Sequence, residues 1–282
     1  MTQAEQASTS EYLQVSWWGT TDPGTTRENN EDAFLGLMFN ARRSQYLGKY
    51  GSASLSDNDF VFAVSDGMGG ANAGEFASKI AIEKITQLLP KGFRVHASGM
   101  QSGFTDLFEE LYQEIHKALV YLGSSYPECS GMGSTLSLCW LTPKWLYYAH
   151  LGDSRIYYQS NPTTLKQLTS DHNHVGWLFR EGKINEREAR THPRRHGLQK
   201  ALGADYQFVS PQVGAVALEP GSRFLLCSDG LIEGLWNKHL LDSLNTTGSN
   251  SSPNPAERLV TEAVERSGVD NTTALILELK PI

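Results

Sequence analysis

Aspartates stand next to the ends of five strand-like apolar runs in this chain of 282 residues. They are Asp32, Asp66, Asp153, Asp229 and Asp270. Strand ends at one edge of a sheet converge in space, and carboxylates brought together there repel one another unless a cation lies among them. Oxygen ligands with few histidines favour Mg²⁺ or Mn²⁺ over Zn²⁺. The pattern therefore predicts a divalent-metal site, although any single Asp-Gly or Asp-Asn pair is equally typical of an ordinary turn.

The order of strand-like and helix-like runs indicates the fold class. Alternating, β-branched or aromatic runs predict strands at 13–17, 33–39, 60–65, 135–141, 145–151, 155–159, 212–218, 223–227 and 273–279. Apolar residues at helical spacing predict helices over 74–89, ended by Pro90, over 105–122 and over 255–266. Strands and helices occur in groups, without strict βαβ alternation, and this favours a layered α+β sandwich.

Three stretches lack such patterns. Residues 1–11 are rich in Ser, Thr, Gln and Ala and are predicted to form a flexible tail. They lack the apolar core of about 7–15 residues that a signal peptide needs. Residues 40–58 are polar and predict a surface insertion, and residues 171–197 are charged and predict a mobile lid. No linker is recognisable, so residues 12–282 are predicted to form a single domain.

Composition excludes several classes of protein. Hydrophobic residues make up 39% of the chain, which is too many for a disordered protein. Lys and Arg number 24 against 31 Asp and Glu, a net charge of −7, which argues against a dedicated nucleic-acid binder. The three cysteines include no Cys-x-x-Cys pair, and no segment approaches the roughly 20 apolar residues of a membrane span. We expect a cytoplasmic protein that binds neither membrane nor nucleic acid.

The residues around the five aspartates resemble the successive motifs of the metal-dependent protein phosphatase (PPM, type 2C) family. The motifs occur in the family's order, from about residue 15 to 279. They are Arg27-Glu28-Asn29-Asn30-Glu31-Asp32, Asp66-Gly67-Met68-Gly69-Gly70, Gly131-Met132-Gly133-Ser134-Thr135, Gly152-Asp153-Ser154-Arg155, Leu226-Cys227-Ser228-Asp229-Gly230 and Asp270-Asn271-Thr272-Thr273.

The resemblance implies a four-layer α-β-β-α sandwich, with two antiparallel β-sheets flanked by helices, and a centre of two Mn²⁺ or Mg²⁺ ions. It implies that Asp66 bridges the ions, that the Gly67 carbonyl binds one, and that Asp229 and Asp270 bind the other. The remaining implied roles are partial, water-mediated binding for Glu31 and Asp32, a weaker third ion on Asp153 with Asp229, and substrate phosphate binding for Arg27. Residues 171–197 match the family's flap, where the candidate substrate contacts are His172, His174, Arg180, Arg194 and Arg195.

The implied activity is hydrolysis of phosphoserine and phosphothreonine in proteins by a metal-activated water, on phosphoproteins made by a Ser/Thr kinase, by a monomeric enzyme. One departure concerns the acid step, because Ala71-Asn72 follows Gly70 where many members have a histidine. Two alternatives stay open: a catalytically silent phosphoprotein-binding domain of the same fold, and a zinc hydrolase built on His172, His174, His192 and His196.

Overall fold

Two antiparallel β-sheets face each other, and helices cover the outer face of each. The computed structural model describes residues 12–69, 73–97, 103–204, 209–246 and 254–282, so the predicted tail at 1–11 lies outside the described residues. The strands are β1 Leu13–Asp22, β2 Asp32–Phe39, β3 Ser44–Tyr46, β4 Tyr50–Ser54, β5 Asp59–Met68, β6 Gly133–Ser134, β7 Leu136–Leu141, β8 Trp145–Leu151, β9 Arg155–Asn161, β10 Thr164–Gln167, β11 Gln212–Ala217, β12 Arg223–Cys227 and β13 Thr272–Pro281. The helices are α1 Ala73–Ala97, α2 Phe104–Ser125, α3 His174–Arg180, α4 Glu186–Thr191, α5 Asp229–Gly234, α6 Asn237–Asn245 and α7 Pro255–Arg266, with a 3₁₀ turn at Pro127–Cys129.

Strands from both ends of the chain share one sheet. The first sheet has the order β10-β9-β12-β13-β1-β4, and the second has the order β11-β8-β7-β5-β2-β3, with β6 paired to β5. Pairing of β1 with β13 extends from Leu13 opposite Pro281 to Asp22 opposite Thr272. The chain therefore closes on itself in the first sheet.

Three apolar layers hold the sandwich together. The inner layer lies between the sheets and includes Val15, Phe62 and Leu277. An outer layer packs α1 and α2 on the second sheet, and the other packs α5, α6 and α7 on the first. The prediction of a four-layer α-β-β-α sandwich is confirmed. None of the helices within the described ranges has the length and apolar character of a membrane span.

The predicted helix over 255–266 is confirmed at both ends, but the first helix is longer than predicted. Pro90 does not end it, and α1 continues to Ala97. A proline removes one backbone donor, yet packing of an apolar face contributes more to a helix than local propensity does. Ile85 and Leu89 are fully buried on that face, whereas Phe76, which the spacing also placed there, is 56% exposed.

Two stretches predicted as loop or lid contain regular, partly buried structure. Residues 40–58 include β3, which pairs with β2, and β4, which pairs with β1, so this stretch adds an edge strand to each sheet. The sequence predicted a surface insertion and did not indicate these two strands, because exposed edge strands lack an apolar alternation. At the start of the predicted lid, Asp171, Asn173 and Val175 are buried.

Candidate metal centre

Asp32 and Asp66 lie directly opposite each other on the neighbouring strands β2 and β5. The Asp32 carboxylate is buried, and its Oδ2 accepts hydrogen bonds from Ser228 Oγ at 2.7 Å and Thr273 Oγ1 at 2.6 Å. Asp32 Oδ1 is also buried but has no hydrogen-bond partner. A buried carboxylate oxygen without a partner is costly, and a cation would satisfy it.

Asp153 and Asp229 approach the same centre from the two sheets. Asp153 lies in the turn between β8 of the second sheet and β9 of the first, and it is buried with Asn173 Nδ2 3.3 Å from its Oδ2. Asp229 follows β12 and is the first residue of α5. The sequence placed both at strand ends, and the structure confirms that location.

Burial and mutual repulsion raise the pKa values of these carboxyls. Burial raises the pKa of Asp66 well above its ordinary value, and the charges of Asp32 and Asp229 raise it further. Burial, followed by the charges of Asp153 and Asp270, does the same to Asp229. Burial is also the main cause that raises the pKa of Asp32 to about 6 and of Asp153 to about 7. Such a convergence of hard oxygen donors fits divalent cations of the Mg²⁺ and Mn²⁺ type.

Gly67 follows Asp66 at a position where the backbone requires glycine. A Cβ atom there would lie 1.9 Å from the Gly74 carbonyl oxygen at the start of α1, and 2.9 Å from the Glu31 carbonyl oxygen. The side chain of Glu31 meets the same helix start, because a Cβ on Gly74 would lie 2.3 Å from Glu31 Oε1. The first turn of α1 thus packs tightly against Glu31, which precedes β2, and against Gly67, near the end of β5.

Arg27 pairs with Asp270 at the rim of the site. Arg27 Nη2 lies 3.0 Å from Asp270 Oδ2, and the Arg27 side chain is about half exposed. The charge of Asp270 is the main cause that raises the pKa of Arg27. Asp270 Oδ1 accepts a hydrogen bond from the backbone of Asn271, so both oxygens of this carboxylate have protein partners.

In the described part of the chain, no three His, Cys, Asp or Glu side chains are arranged to hold one ion by themselves.

Asn271 is a residue of the site whose role the sequence did not indicate. Its Oδ1 accepts the Glu31 backbone N–H at 2.8 Å, and its Nδ2 donates to the carbonyls of Pro23 at 3.0 Å and Asn29 at 2.9 Å. This buried side chain therefore joins the loop that bears Arg27 and Glu31 to the start of β13. Local sequence patterns do not reveal the role of such a buried asparagine, because its partners lie 240 or more positions away.

A buried ion pair beneath Asp153 was also not predicted. Arg155 Nη2 lies 2.7 Å from Asp171 Oδ2, Arg155 Nε contacts both Asp171 oxygens, and Arg155 Nη1 donates to the Tyr157 hydroxyl. Burial is the largest single effect and would raise the pKa of Asp171, but the charge of Arg155 and the hydrogen bonds from Arg155 and Gln167 together hold that pKa below the ordinary value. The pair fixes the first residue of the predicted flap to the first sheet.

The candidate flap histidines lie apart from one another. His172 Nδ1 accepts the Gly152 backbone N–H at 3.1 Å, and its ring stacks on the buried His150 at 4.9 Å. Burial is the main cause that lowers the pKa of His150 to about 3 and of His172 to about 4, so both rings are neutral near pH 7. The His174 ring stacks on Trp177 at 5.8 Å. His172 thus orders the turn that bears Asp153, and His150, which the sequence did not single out, supports it.

The candidate flap arginines Arg180, Arg194 and Arg195 contact different protein groups. Arg180 Nη1 donates to the Asp171 carbonyl at 3.0 Å, and Arg195 Nε lies 3.6 Å from Glu233 Oε1. Arg194 is exposed, and its backbone N–H donates to His192 Nδ1. The Gly70-Ala71-Asn72 stretch, where the family histidine is missing, lies outside the described residues.

Comparisons with known proteins agree with this geometry. Residues 49–261 match the family model described as "Protein phosphatase 2C". The chain belongs to the protein phosphatase 2C family. It is 33% identical over 258 residues to the serine/threonine phosphatase stp of Listeria welshimeri, across 92% of this chain and 93% of that protein.

Two solved structures of protein phosphatase 2C relatives also match. The crystal structure of the Mycobacterium tuberculosis serine/threonine phosphatase PstP/Ppp superposes with a TM-score of 0.75 at 28% identity, covering 95% of this chain and 99% of that one. The catalytic domain of PstP in complex with two manganese ions superposes with a TM-score of 0.71 at 27% identity, with the same coverage. The family is metal dependent, as the aspartate pattern predicted.

Proposed function

We propose that this chain is a protein serine/threonine phosphatase that hydrolyses phosphoserine and phosphothreonine monoesters. The observation that supports this proposal best is the pair of facing carboxylates, Asp32 and Asp66, joined by Asp153 and Asp229 in one buried acidic group. The activity of its relatives as serine/threonine phosphatases supports the same proposal. The alternative of a catalytically silent phosphoprotein-binding domain is disfavoured because all five strand-end positions expected to bind metal are occupied by Asp.

Two Mn²⁺ or Mg²⁺ ions, with a weaker third, fit the donor set. The residues that would hold them are Glu31, Asp32, Asp66, Gly67, Asp153, Asp229 and Asp270. When bound, such ions supply Lewis acidity and a nucleophilic water for attack on phosphorus. Support comes from the unpartnered oxygen of Asp32 and from the two manganese ions of the related PstP domain.

Arg27 would bind the substrate phosphate. Its guanidinium is half exposed at the rim of the acidic group and can contact two phosphate oxygens in a fork. The hydrogen bond to Asp270 orients the Arg27 guanidinium, and Asn271 fixes the loop that carries Arg27. We place no acid at Ala71 or Asn72, since neither side chain can donate the proton that a serine alkoxide needs.

Residues 12–282 would form one catalytic domain, because β1 and β13 close the first sheet from the two ends of the chain. The flap residues His172, His174, Arg180, Arg194 and Arg195 would border the substrate. We further propose a monomeric, cytoplasmic enzyme that acts on the products of a Ser/Thr kinase. The cytoplasmic location is consistent with three free cysteines, of which Cys139 and Cys227 are buried.

Turnover of a phosphothreonine peptide with and without chelator tests the proposal. We expect activity to disappear with chelator and to return with Mn²⁺ or Mg²⁺. Asp66→Asn should lower kcat/KM by about a thousandfold or more, because it removes one negative ligand without changing shape. The exposed Asp57→Asn is the matched control. Rescue by Zn²⁺ alone would favour the zinc hydrolase, and turnover that survives chelation would contradict the metal mechanism.

A further inference from the structure

A cavity of about 350 Å³ lies beside the metal centre, between the α3–α4 segment and α5. Asp153 and Asp229 are among the residues that line it. Its volume lies within the range of small-ligand pockets, roughly 300–1,000 Å³. Atoms next to any group held at these two aspartates would therefore lie in or beside this cavity.

The charged side chains that line the cavity away from the two aspartates are paired with one another. The pairs are Arg155 with Asp171 at 2.7 Å, Arg190 with Glu186 at 3.3 Å, and Arg195 with Glu233 at 3.6 Å. Arg190 Nε and Glu233 Oε1 are buried without a hydrogen-bond partner, but each belongs to one of these pairs, so a charged group entering the cavity would lose its hydration and compete with an existing partner. The outer part of the cavity is thus suited to an uncharged occupant.

The apolar side chains that line the cavity are unusually exposed. Phe179, Trp236 and Val269 are 39%, 38% and 52% exposed, and the buried Ile232 and Val175 lie between them. Single exposed apolar residues are ordinary, but a group of them around one concave surface marks a binding site. The combination of apolar walls, paired charges and two candidate metal ligands describes a site for a molecule that carries a phosphate, which metal ions at the aspartates would hold, next to an apolar group.

We propose that this cavity takes an aromatic or large aliphatic side chain that flanks the phosphorylated residue of the substrate. The proposal rests on the proposed phosphatase function, because the phosphate must lie at the aspartates for its neighbour to reach the cavity. Phe179 supplies one wall from α3, and Ala189 borders the cavity from α4. The cavity would make the enzyme selective among phosphoproteins without any sequence-specific charge contact.

The test is a set of phosphothreonine peptides that differ at one flanking position at a time, with Phe, Leu, Ala, Lys or Glu there. At one of these positions we expect kcat/KM to be about tenfold higher for Phe or Leu than for Ala, from burial of the apolar side chain. Lys and Glu should give no such gain. Turnover of p-nitrophenyl phosphate measures the metal centre alone, since this substrate has no flanking residue.

Two variants and a matched control locate the effect. Phe179→Ala should reduce the preference to about threefold or less, because it removes one wall. Trp177→Ala should leave the preference unchanged, since Trp177 is a similarly exposed aromatic residue of the same helix that does not line the cavity. Ala189→Phe should abolish the preference by filling the space. All three should retain p-nitrophenyl phosphate turnover.

The outcomes separate this inference from the proposed function. Peptide turnover without preference at any flanking position, or equal effects of Phe179→Ala and Trp177→Ala, would overturn the inference and leave the phosphatase function standing. Absence of turnover for every phosphopeptide, with Mn²⁺ present, would overturn both.

Discussion

At the scale of single residues, Asn271 links the loop that carries Arg27 and Glu31 to the candidate metal centre. Its amide makes hydrogen bonds to the backbone of Glu31, Pro23 and Asn29. These three groups belong to the loop that carries the phosphate-binding candidate Arg27. A single buried amide thus sets the distance between the N-terminal loop and the metal centre.

Replacing Asn271 by Ala should destabilise the protein by about 2–4 kcal/mol, because buried backbone groups lose their partners. Urea unfolding measures this change. Mn²⁺ affinity, measured by calorimetry, should also fall, since Glu31 is no longer held. Asn161→Ala, which removes only local contacts of an exposed turn, is the control. Equal stability of both variants would show that Asn271 does not hold the loop.

Asp59 is a buried carboxyl at the far end of β5 from Asp66, and its Oδ2 accepts the Trp140 Nε1–H at 2.8 Å. Burial raises its pKa from 3.8 to about 6, although the Trp140 hydrogen bond opposes the rise. The folded protein therefore holds this proton more tightly than the unfolded chain does. Its contribution to stability is complete below about pH 4 and is lost as the pH rises through about 6.

Asp59→Asn should remove the decrease in folding stability at higher pH. The amide oxygen can still accept the hydrogen bond from Trp140, and the amide carries no charge. We expect the variant to gain about 1–3 kcal/mol over the wild type between pH 4 and pH 7, measured by urea unfolding at several pH values. Asp57→Asn, at an exposed position nearby, should show no such trend. If the difference in the free energy of unfolding between Asp59→Asn and wild type does not grow with pH, ionisation of Asp59 does not destabilise the folded protein.

At the scale of elements, α4 is held against α5 by one side chain. Arg190 Nη1 and Nη2 donate to the carbonyls of Ile232 and Leu235, and the guanidinium lies 4.5 Å from the centre of the Trp236 ring. Asp229 is at the other end of the same short helix α5. The flap and a candidate metal ligand are therefore joined through six residues of helix.

Arg190→Ala should lower kcat/KM for p-nitrophenyl phosphate and for phosphopeptides by similar factors, because displacement of α5 moves Asp229. We expect about ten- to a hundredfold for both substrates. Arg187→Ala changes an exposed residue of the same helix and should leave both values close to wild type. A loss confined to phosphopeptides would mean that Arg190 acts on the substrate and not on α5.

At the scale of the whole molecule, the acidic group lies where the two sheets meet. Asp32 and Asp66 come from β2 and β5 of the second sheet, and Asp229 and Asp270 adjoin β12 and β13 of the first. The repulsion among these carboxylates therefore acts between the two sheets of the sandwich. A ligand that binds this group in the folded state stabilises the entire sandwich.

Mn²⁺ should raise the melting temperature of the chelator-treated protein, because binding to the folded state alone adds about 2.7 kcal/mol at a hundred times the Kd. Asp66→Asn should melt at a higher temperature than wild type in chelator, since it relieves repulsion, and should respond less to Mn²⁺. Calorimetric scans with and without metal measure both effects. Identical melting temperatures for wild type and variant in chelator would contradict the repulsion.

The amino-acid sequence by itself determined the fold class and the helix at 255–266, and it predicted the residues of the candidate metal centre. These depend on local periodicity and on residue types that occur in a fixed order next to strand ends. The separation of α and β runs was enough to favour a layered sandwich. Asp32, Asp66, Asp153 and Asp229 could be proposed as neighbours because strand ends meet at a sheet edge.

Only the tertiary structure decided how those strands combine. The runs at 145–151 and 155–159 follow each other closely in the sequence, yet β8 and β9 lie in different sheets with Asp153 at the crossing. The strands at 44–46 and 50–54, the pairing of Asp270 with Arg27 and the burial of Asp171 against Arg155 were likewise not predictable. Each depends on partners distant in sequence, and strand pairing and burial of charge are set by such partners rather than by local propensity.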